Sequence, residues 1–323
     1  MHTVLPVFSD QQIIALRPAR NRVDPGHPYA CMVEQECAAD QSLQGVVTVF
    51  LTSNECAFRC TMCDLWKNTL PRDEAVSSIP QQIRWALNQK QIDPRAPEQQ
   101  GMTAIKLYNS GNFFDPHSVP PSDWPEIADL VQGFTTVIVE NHPTLCGDAC
   151  FDFQNMLSGQ LEIALGLESI HPRILPWLNK HMTLEDFQTA TSKLVARGIR
   201  IRTFILLRPP FLTEDEGMDW AIRAMEFAFD CGVECCSLVP TRSGNGVMDQ
   251  LERDGLFTPP QLKSMEMVQR AGLEMKRGRV LMDLWDADQF SMCPHCVSQR
   301  VARLTEMNHT QIIRPGVVCR ECS

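Results

Sequence analysis

Three closely spaced cysteines, Cys56, Cys60 and Cys63, are the residues of this sequence with the clearest chemical meaning. Their C-x3-C-x2-C spacing gathers three thiolates on one short loop, which can hold three irons of a [4Fe-4S] cluster. Ferredoxin-type clusters use four cysteines, so a triplet with no fourth thiolate nearby leaves one iron open to another ligand. A zinc site and unrelated buried thiols are the alternatives. We call these three residues the cysteine triplet.

A second group of cysteines lies at the C-terminus, where Cys293/Cys296 and Cys319/Cys322 form two C-x2-C pairs. Two such pairs let four sulfurs approach one ion tetrahedrally, and their separation is close to that of zinc ribbons. Zinc is the first expectation, and an auxiliary iron–sulfur cluster is the alternative. We call these four residues the C-terminal cysteine group.

Strand-like and helix-like segments alternate along the chain, which is the pattern of βαβ units in a parallel sheet. Helices are predicted over 184–197 and 214–230, each preceded by a threonine and followed by a glycine. Strands are predicted over 46–51, 103–108, 135–140, 161–166, 199–207 and 233–239.

Several polar or glycine-containing turns follow these predicted strands. The cysteine triplet follows the first strand, the segment Ser110-Gly111-Asn112 follows the second, and Glu168 and Ser169 follow the fourth. A small turn lets backbone groups approach a ligand, and functional groups of βα barrels collect at this end of the strands. A plain β-turn and a charge at the start of a helix are the alternatives for the last two segments.

The sequence resembles the radical S-adenosylmethionine (SAM) superfamily, in the branch of the archaeosine-biosynthesis and Elongator-subunit-3-like proteins. The resemblance implies a partial (β6/α6) TIM-like barrel over 45–288. The poorly patterned residues 1–44 are interpreted as an N-terminal arm that packs on the barrel, and the paired cysteines predict a zinc-ribbon-like lobe over 289–323. The matching segments are 110–115, 139–143, 166–169, 178–180, 182–187 and 206–211.

The resemblance also implies cofactors and their ligands. The cysteine triplet would bind a [4Fe-4S] cluster whose free iron chelates SAM, and an electron from a donor such as flavodoxin or ferredoxin would cleave SAM to a 5′-deoxyadenosyl radical. Ser110, Gly111 and Asn112 would receive the SAM amino group, and Glu168 and Ser169 would contact its ribose or amino-acid part. Asn112 stands where a carboxylate is common.

The region after the sixth predicted strand departs from the family, and substrate contacts are expected there. Cys235 and Cys236 would point to opposite sides of the strand, so one of them would face the barrel interior. With Arg242 and Asn245 they are the candidate catalytic residues. The resemblance points to a modified nucleoside or tRNA as substrate. A small-molecule or peptide pathway is the alternative, and a non-catalytic, metal-stabilised RNA- or protein-binding module is a third hypothesis.

Composition limits these hypotheses. The chain has 323 residues, 44% of them apolar and 21% charged, which suits one large domain with a full core. Its net charge of −10 argues against nonspecific coating of nucleic acid. We expect a cytoplasmic protein without a membrane span, because neither a signal peptide nor a long apolar run is evident. The fourteen cysteines are expected to be metal ligands and free thiols.

Overall fold

The computed structural model describes residues 5–72, 74 and 78–322. Within these residues eight strands form one curled sheet in the order of the chain, with the first strand antiparallel to the second and all others parallel. The strands are β1 (Ala30–Cys37), β2 (Leu43–Phe50), β3 (Met102–Tyr108), β4 (Thr136–Asn141), β5 (Gln160–Glu168), β6 (Arg200–Leu207), β7 (Cys235–Pro240) and β8 (Arg279–Met282).

Helices cover the outer face of the sheet and connect its strands. Their bounds are α1 (Asp10–Leu16), α2 (Ile79–Gln89), α3 (Trp124–Leu130), α4 (Asp148–Met156), α5 (Ile174–Trp177), α6 (Leu184–Val195), α7 (Glu214–Asp230), α8 (Val247–Arg253), α9 (Leu262–Met275) and α10 (Val297–Thr310). Thr183 and Thr213 cap α6 and α7 as predicted, and Gly198 and Gly232 follow those helices with φ of +71° and +82°. None of the helices among the described residues is long and apolar enough to span a membrane.

The α/β partial barrel predicted from the sequence is confirmed, and the six predicted strands correspond to β2–β7. Two further strands, β1 and β8, were not predicted. β1 lies in the segment interpreted as an arm, because its acidic residues Glu34 and Glu36 interrupt the apolar pattern. β8 has only four residues, too few to show a pattern. The proposed division at residues 44 and 288 stays a prediction.

Charged side chains, and not aliphatic ones, face the interior at the N-terminal ends of the parallel strands. Glu36 accepts hydrogen bonds from Lys106 Nζ (2.7 Å) and Arg202 Nη1 (2.8 Å). Glu162 accepts from Arg202 Nε and Arg279 Nη2, both at 2.8 Å. Burial by itself raises the pKa of Glu36, but Arg202 and Lys106 hold it below its ordinary value. Each of these buried charges is thus paired, which offsets its desolvation cost.

Helix α10 packs against both edge strands of the sheet, β1 and β8. Its Asn308 side chain accepts from Met282 N and donates to Met282 O, both at 2.8 Å, and Gln311 accepts from Val280 N at 2.7 Å. These side chains form hydrogen bonds with backbone groups of β8 that would otherwise be free to pair with a further strand. The barrel is therefore completed by a helix on its open side.

Candidate functional site

The cysteine triplet lines a cavity of about 350 Å³ at the C-terminal ends of the strands. The loop that carries the triplet begins after β2, and Leu51 N donates to Tyr108 O at 2.7 Å as the chain leaves the sheet. The other cavity residues come from the triplet loop itself, from the ends of β3–β7 and from the segment after α5. They include Phe58, Tyr108, Ser110, Gly111, Asn112, Glu140, His142, Gly166, Glu168, Lys180, Phe204 and Val239.

The three thiols do not converge as tightly as the four C-terminal cysteines do. Among the described residues, the four C-terminal cysteines form the single group of at least three metal-binding side chains whose ligand atoms all lie within 4.8 Å of one another. The triplet is therefore spread more widely than one tetrahedral ion permits. Cys56 Sγ accepts hydrogen bonds from Asn112 Nδ2 (3.1 Å) and Phe58 N (3.4 Å). Burial raises the pKa of Cys60 to about 11, so a metal must displace its proton.

The triplet loop is fixed by contacts from several elements. The Phe58 ring stacks on His142 with centroids 3.8 Å apart. Asn245 Nδ2, from the loop after β7, donates to Thr61 O (2.8 Å) and Cys63 O (3.1 Å). These contacts tie the loop to β4 and to the loop after β7.

Glu55, which immediately precedes the triplet, is the centre of a buried ion-pair network. Its carboxylate accepts from Arg17 Nη1 at 2.7 Å and also pairs with Arg20, both in the N-terminal arm. Arg59 within the loop lies 3.2 Å from the same carboxylate. The arm is thereby tied directly to the cysteine loop.

The turn after β3 is supported by a carboxylate from β4. Glu140 Oε1 accepts from Asn109 N (2.8 Å) and Gly111 N (3.2 Å), and Ser110 adopts φ +55°. Burial raises the pKa of Glu140 to about 7, although the backbone donors lower it. Tyr29 places its hydroxyl 2.9 Å from Ser110 Oγ. The turn is therefore held in an uncommon backbone conformation on a buried acid.

A buried ion pair forms the opposite wall of the cavity. Glu168 has φ +64° at an irregularity of β5, and its Oε1 lies 3.0 Å from Lys180 Nζ. A Cβ at Gly166 would stand 2.0 Å from that oxygen, so this position needs glycine. Burial lowers the pKa of Lys180, but Glu168 and then Cys60 outweigh it and raise the pKa. Lys180 thus acts electrostatically on both the acid and the triplet.

Solved structures with a similar fold are known. The archaeal Elp3 of Methanocaldococcus infernus aligns with a TM-score of 0.51 and 14% identity over 71% of this chain and 59% of that one. Methylornithine synthase (PylB) aligns with a TM-score of 0.51 and 13% identity over 71% and 62% of the two chains. Streptococcus suis SuiB bound to SAM also gives 0.51, with 9% identity over 72% and 48%. These proteins are radical SAM enzymes. The chain has the radical SAM fold.

Sequence comparisons agree with that fold. The chain is 25% identical to archaeosine synthase subunit beta of Methanosarcina acetivorans over 68% of this chain and 64% of that protein. It is 21% identical to an uncharacterized protein of Methanocaldococcus jannaschii over 92% and 86% of the two chains. No protein-family model matches the sequence. The chain spans less than two thirds of the Elp3 and archaeosine synthase chains. Together with the triplet, these likenesses support an enzyme of the radical SAM class.

Most cofactor residues predicted from the sequence meet at this cavity. Ser110, Gly111, Asn112 and Glu168 line it together with the triplet. Ser169 does not, because its hydroxyl accepts from His171 N at 3.1 Å and its side chain is buried behind the wall.

The four candidate catalytic residues are not brought to the cavity wall. Cys235 is buried near the charges at the barrel floor, and Cys236 lies in the apolar core between sheet and helices. Arg242 pairs with Asp283 at 2.8 Å, and both ends of the Asn245 amide are used in backbone contacts. We therefore assign none of them a catalytic role.

Three residues of the site were missed as site residues in the sequence: Glu55, Glu140 and Lys180. Glu140 and Lys180 lie in segments that match the family, which was the available signal, but nothing near them in sequence shows what they contact. Glu55 adjoins the triplet, and its ion-pair partners other than Arg59 lie 35 or more positions away in the chain.

The four sulfurs of the C-terminal cysteine group converge, as the paired spacing predicts. Sγ atoms of Cys293 and Cys319 are 3.9 Å apart, and those of Cys296 and Cys322 are 3.5 Å apart. Arg300 Nε, one turn into α10, donates to Cys296 Sγ at 3.3 Å. The arrangement suits one metal ion of tetrahedral preference.

Proposed function

We propose that Cys56, Cys60 and Cys63 bind a [4Fe-4S] cluster and that the protein cleaves SAM reductively to modify a nucleoside, free or within tRNA. The observation that carries this proposal is that all three thiols line one cavity with the glycine-containing turn and the Glu168–Lys180 pair. The bound cluster supplies the electron for cleavage, and the protein supplies orientation and shielding.

The chain's own residues have separate roles in this proposal. Ser110, Gly111 and Asn112 receive the amino-acid end of SAM, with the turn held by Glu140. Asn112 also donates to Cys56 Sγ, a type of hydrogen bond that tunes the potential of iron–sulfur clusters. Glu168 contacts SAM while Lys180 fixes its carboxylate. Ser169 supports the backbone of this segment from behind.

The nucleoside substrate rests on the likeness to archaeosine synthase subunit beta, whose name connects it with a modified nucleoside. An electron donor such as flavodoxin or ferredoxin completes the reaction. The test is to incubate reduced protein with SAM and either tRNA or nucleosides and to analyse the products by mass spectrometry. A mass change that occurs only when peptides or other small molecules are supplied in place of tRNA and nucleosides would establish the alternative substrate class.

We further propose that the C-terminal cysteine group binds zinc. A tetrahedral zinc site with Zn–S bonds of ~2.3 Å places its sulfurs ~3.8 Å apart. The sulfur separations of 3.9 Å (Cys293–Cys319) and 3.5 Å (Cys296–Cys322) bracket that value. Sulfurs bound to the separate irons of an auxiliary cluster would stand further apart.

The decisive experiment is SAM cleavage by anaerobically reconstituted, dithionite-reduced protein, with 5′-deoxyadenosine measured by chromatography. The triple variant Cys56→Ala, Cys60→Ala, Cys63→Ala should lose the brown colour and the product. Cys231→Ala, a half-buried thiol outside both groups, should retain both. Cleavage by the triple variant would overturn the cluster assignment. A colourless wild-type protein containing only zinc would support the non-catalytic module.

A further inference from the structure

A second cavity of about 550 Å³ lies inside the barrel, next to the cavity of the triplet. We call it the barrel chamber. Strands β1, β2, β3, β6, β7 and β8 and helix α10 contribute to its lining. Tyr108, Phe204 and Val239 line both cavities, so one layer of side chains separates the chamber from the proposed SAM site.

Aromatic side chains form part of the chamber wall. Phe50, Tyr108 and Phe204 succeed one another with ring centroids 6.3 and 6.5 Å apart, and each ring is only partly buried. The interior of a filled βα barrel consists mostly of interlocking branched aliphatic residues. Partly exposed rings in this position instead offer surfaces on which a planar ligand can stack.

Several polar groups of the chamber lack a hydrogen-bond partner in the described part of the chain. Ser237 is 8% exposed, and its hydroxyl makes no hydrogen bond. Glu34 Oε1 accepts hydrogen bonds from Thr48 Oγ1 (2.6 Å) and Lys106 Nζ (2.9 Å), and Glu34 Oε2 accepts none. The Tyr108 hydroxyl and the His309 ring are also without partners. These groups line the cavity and are not sealed from solvent, and the Glu34 side chain is 34% exposed, so their free hydrogen-bonding positions are available to a ligand.

The charges of the chamber cancel. Its two cations, Lys106 and Arg202, pair with Glu34 and Glu36, and its third carboxylate, Asp283, pairs with Arg242, which lies outside the lining. A ligand is therefore not selected by net charge. The free Oε2 of Glu34 can accept a hydrogen bond from a ligand, and the aromatic wall can stack against a flat ring.

We propose that the barrel chamber binds the substrate as an uncharged, planar nitrogen heterocycle of the nucleobase type, with its donor edge on Glu34 and Ser237. This inference rests on the proposed function, because it places the substrate beside the SAM cavity. It adds the binding site, the recognition residues and the part of the substrate that they recognise.

The experiment is calorimetric titration of guanosine, adenosine and cytidine into the cluster-loaded, SAM-bound protein, with ribose as a non-planar control. At least one nucleoside should bind saturably, and ribose should not. Glu34→Gln and Ser237→Ala should each weaken that binding tenfold or more. Glu98→Gln, an exposed carboxylate outside the chamber, should leave it unchanged. Iron content and circular dichroism establish that each variant is folded and loaded.

The outcomes separate the two proposals. SAM cleavage by the wild-type protein without saturable nucleoside binding, or with binding unaffected by both variants, overturns the chamber assignment and leaves the radical SAM function in place. Absence of SAM cleavage in the wild-type protein overturns the proposed function itself. Because Glu34 also contacts Lys106, a loss in Glu34→Gln alone, with Ser237→Ala unchanged, would count against the chamber.

Discussion

At the scale of single residues, the Glu168–Lys180 pair governs how the cavity responds to substitution. Both side chains are buried and lie 3.0 Å apart. Removing one partner of a buried pair leaves an uncompensated charge, which costs about 3–5 kcal/mol of stability. A single substitution at either position therefore changes folding as well as ligand binding.

The first prediction separates these two effects at Glu168. Glu168→Ala should weaken SAM binding by roughly 1.5–3 kcal/mol, the loss of a charge-assisted hydrogen bond, without loss of iron. Equilibrium binding of SAM to the reconstituted variants measures it. The double variant Glu168→Ala, Lys180→Met removes the stranded cation and should recover stability but not affinity. If affinity recovered as well, Glu168 would act only by positioning Lys180.

The second prediction concerns pH and Glu140. Burial raises the pKa of this carboxyl from 4.5 to about 7, so the folded protein holds its proton more tightly than the unfolded chain. Its contribution to stability is fully present below pH 4.5 and is lost as the pH rises through about 7. The thermal unfolding midpoint should therefore fall more between pH 5 and pH 8 in the wild type than in Glu140→Gln. The difference is at most on the order of 3 kcal/mol. Equal falls would mean that Glu140 titrates normally.

Residue types and spacings were sufficient to predict the cysteine triplet, the turn and Glu168, because each lies directly after a strand. Chemistry formed by residues far apart in sequence was not predictable. Glu55 depends on arginines of the arm, and the unpartnered hydroxyl of Ser237 is apparent only once the strands are arranged around a cavity.

At the scale of elements, the N-terminal arm is part of the cysteine site. Asn21 N donates to Lys67 O (2.9 Å), Trp177 Nε1 donates to Pro6 O (2.6 Å), and Asn179 Nδ2 donates to Asp10 Oδ1 (2.8 Å). These bonds connect the arm with the triplet loop and with the segment leading to Lys180. The prediction that the arm packs on the barrel agrees with these contacts, although its role at the site was not foreseen.

The third prediction tests this connection. Arg17→Gln together with Arg20→Gln should leave Glu55 with Arg59 as its remaining ion-pair partner and loosen the triplet loop. Reconstituted iron per chain should fall, and the electron paramagnetic resonance signal of the reduced cluster should broaden. Arg22→Gln, an exposed arginine of the same arm, is the matched control. Full iron loading with an unchanged spectrum in the double variant would show that the arm does not order the loop.

The strands were predictable to the extent that their side chains are apolar. β2–β7 have buried Val, Ile and Leu runs, and their predicted bounds differ from the observed ones by only a few residues at either end. β1 carries Glu34 and Glu36 because its inner face meets Lys106 and Arg202. A strand whose buried partners are charges has the sequence of a surface segment, and only tertiary structure distinguishes the two.

At the scale of the whole molecule, the two cysteine sites are far apart in sequence and chemically independent. The fourth prediction is therefore that anaerobically reconstituted protein contains about one zinc and four irons per chain. Cys293→Ser with Cys319→Ser should remove the zinc and leave the irons, measured by elemental analysis. About eight irons and no zinc would replace the zinc site by an auxiliary cluster.

The position of α10 connects the metal proposed for the C-terminal cysteine group with the covering of the sheet edges. An unpaired sheet edge is a template for intermolecular strand pairing, and proteins usually cover such edges. Here α10 covers β1 and β8, and Asn308 and Gln311 occupy the backbone groups of β8. The helix starts directly after Cys296, so the metal group anchors its first turn. On the zinc assignment proposed above, stripping the metal would release the first turn of α10 and loosen its cover of both strand edges, so the metal-free protein would aggregate more readily while the triplet and its loop were still intact.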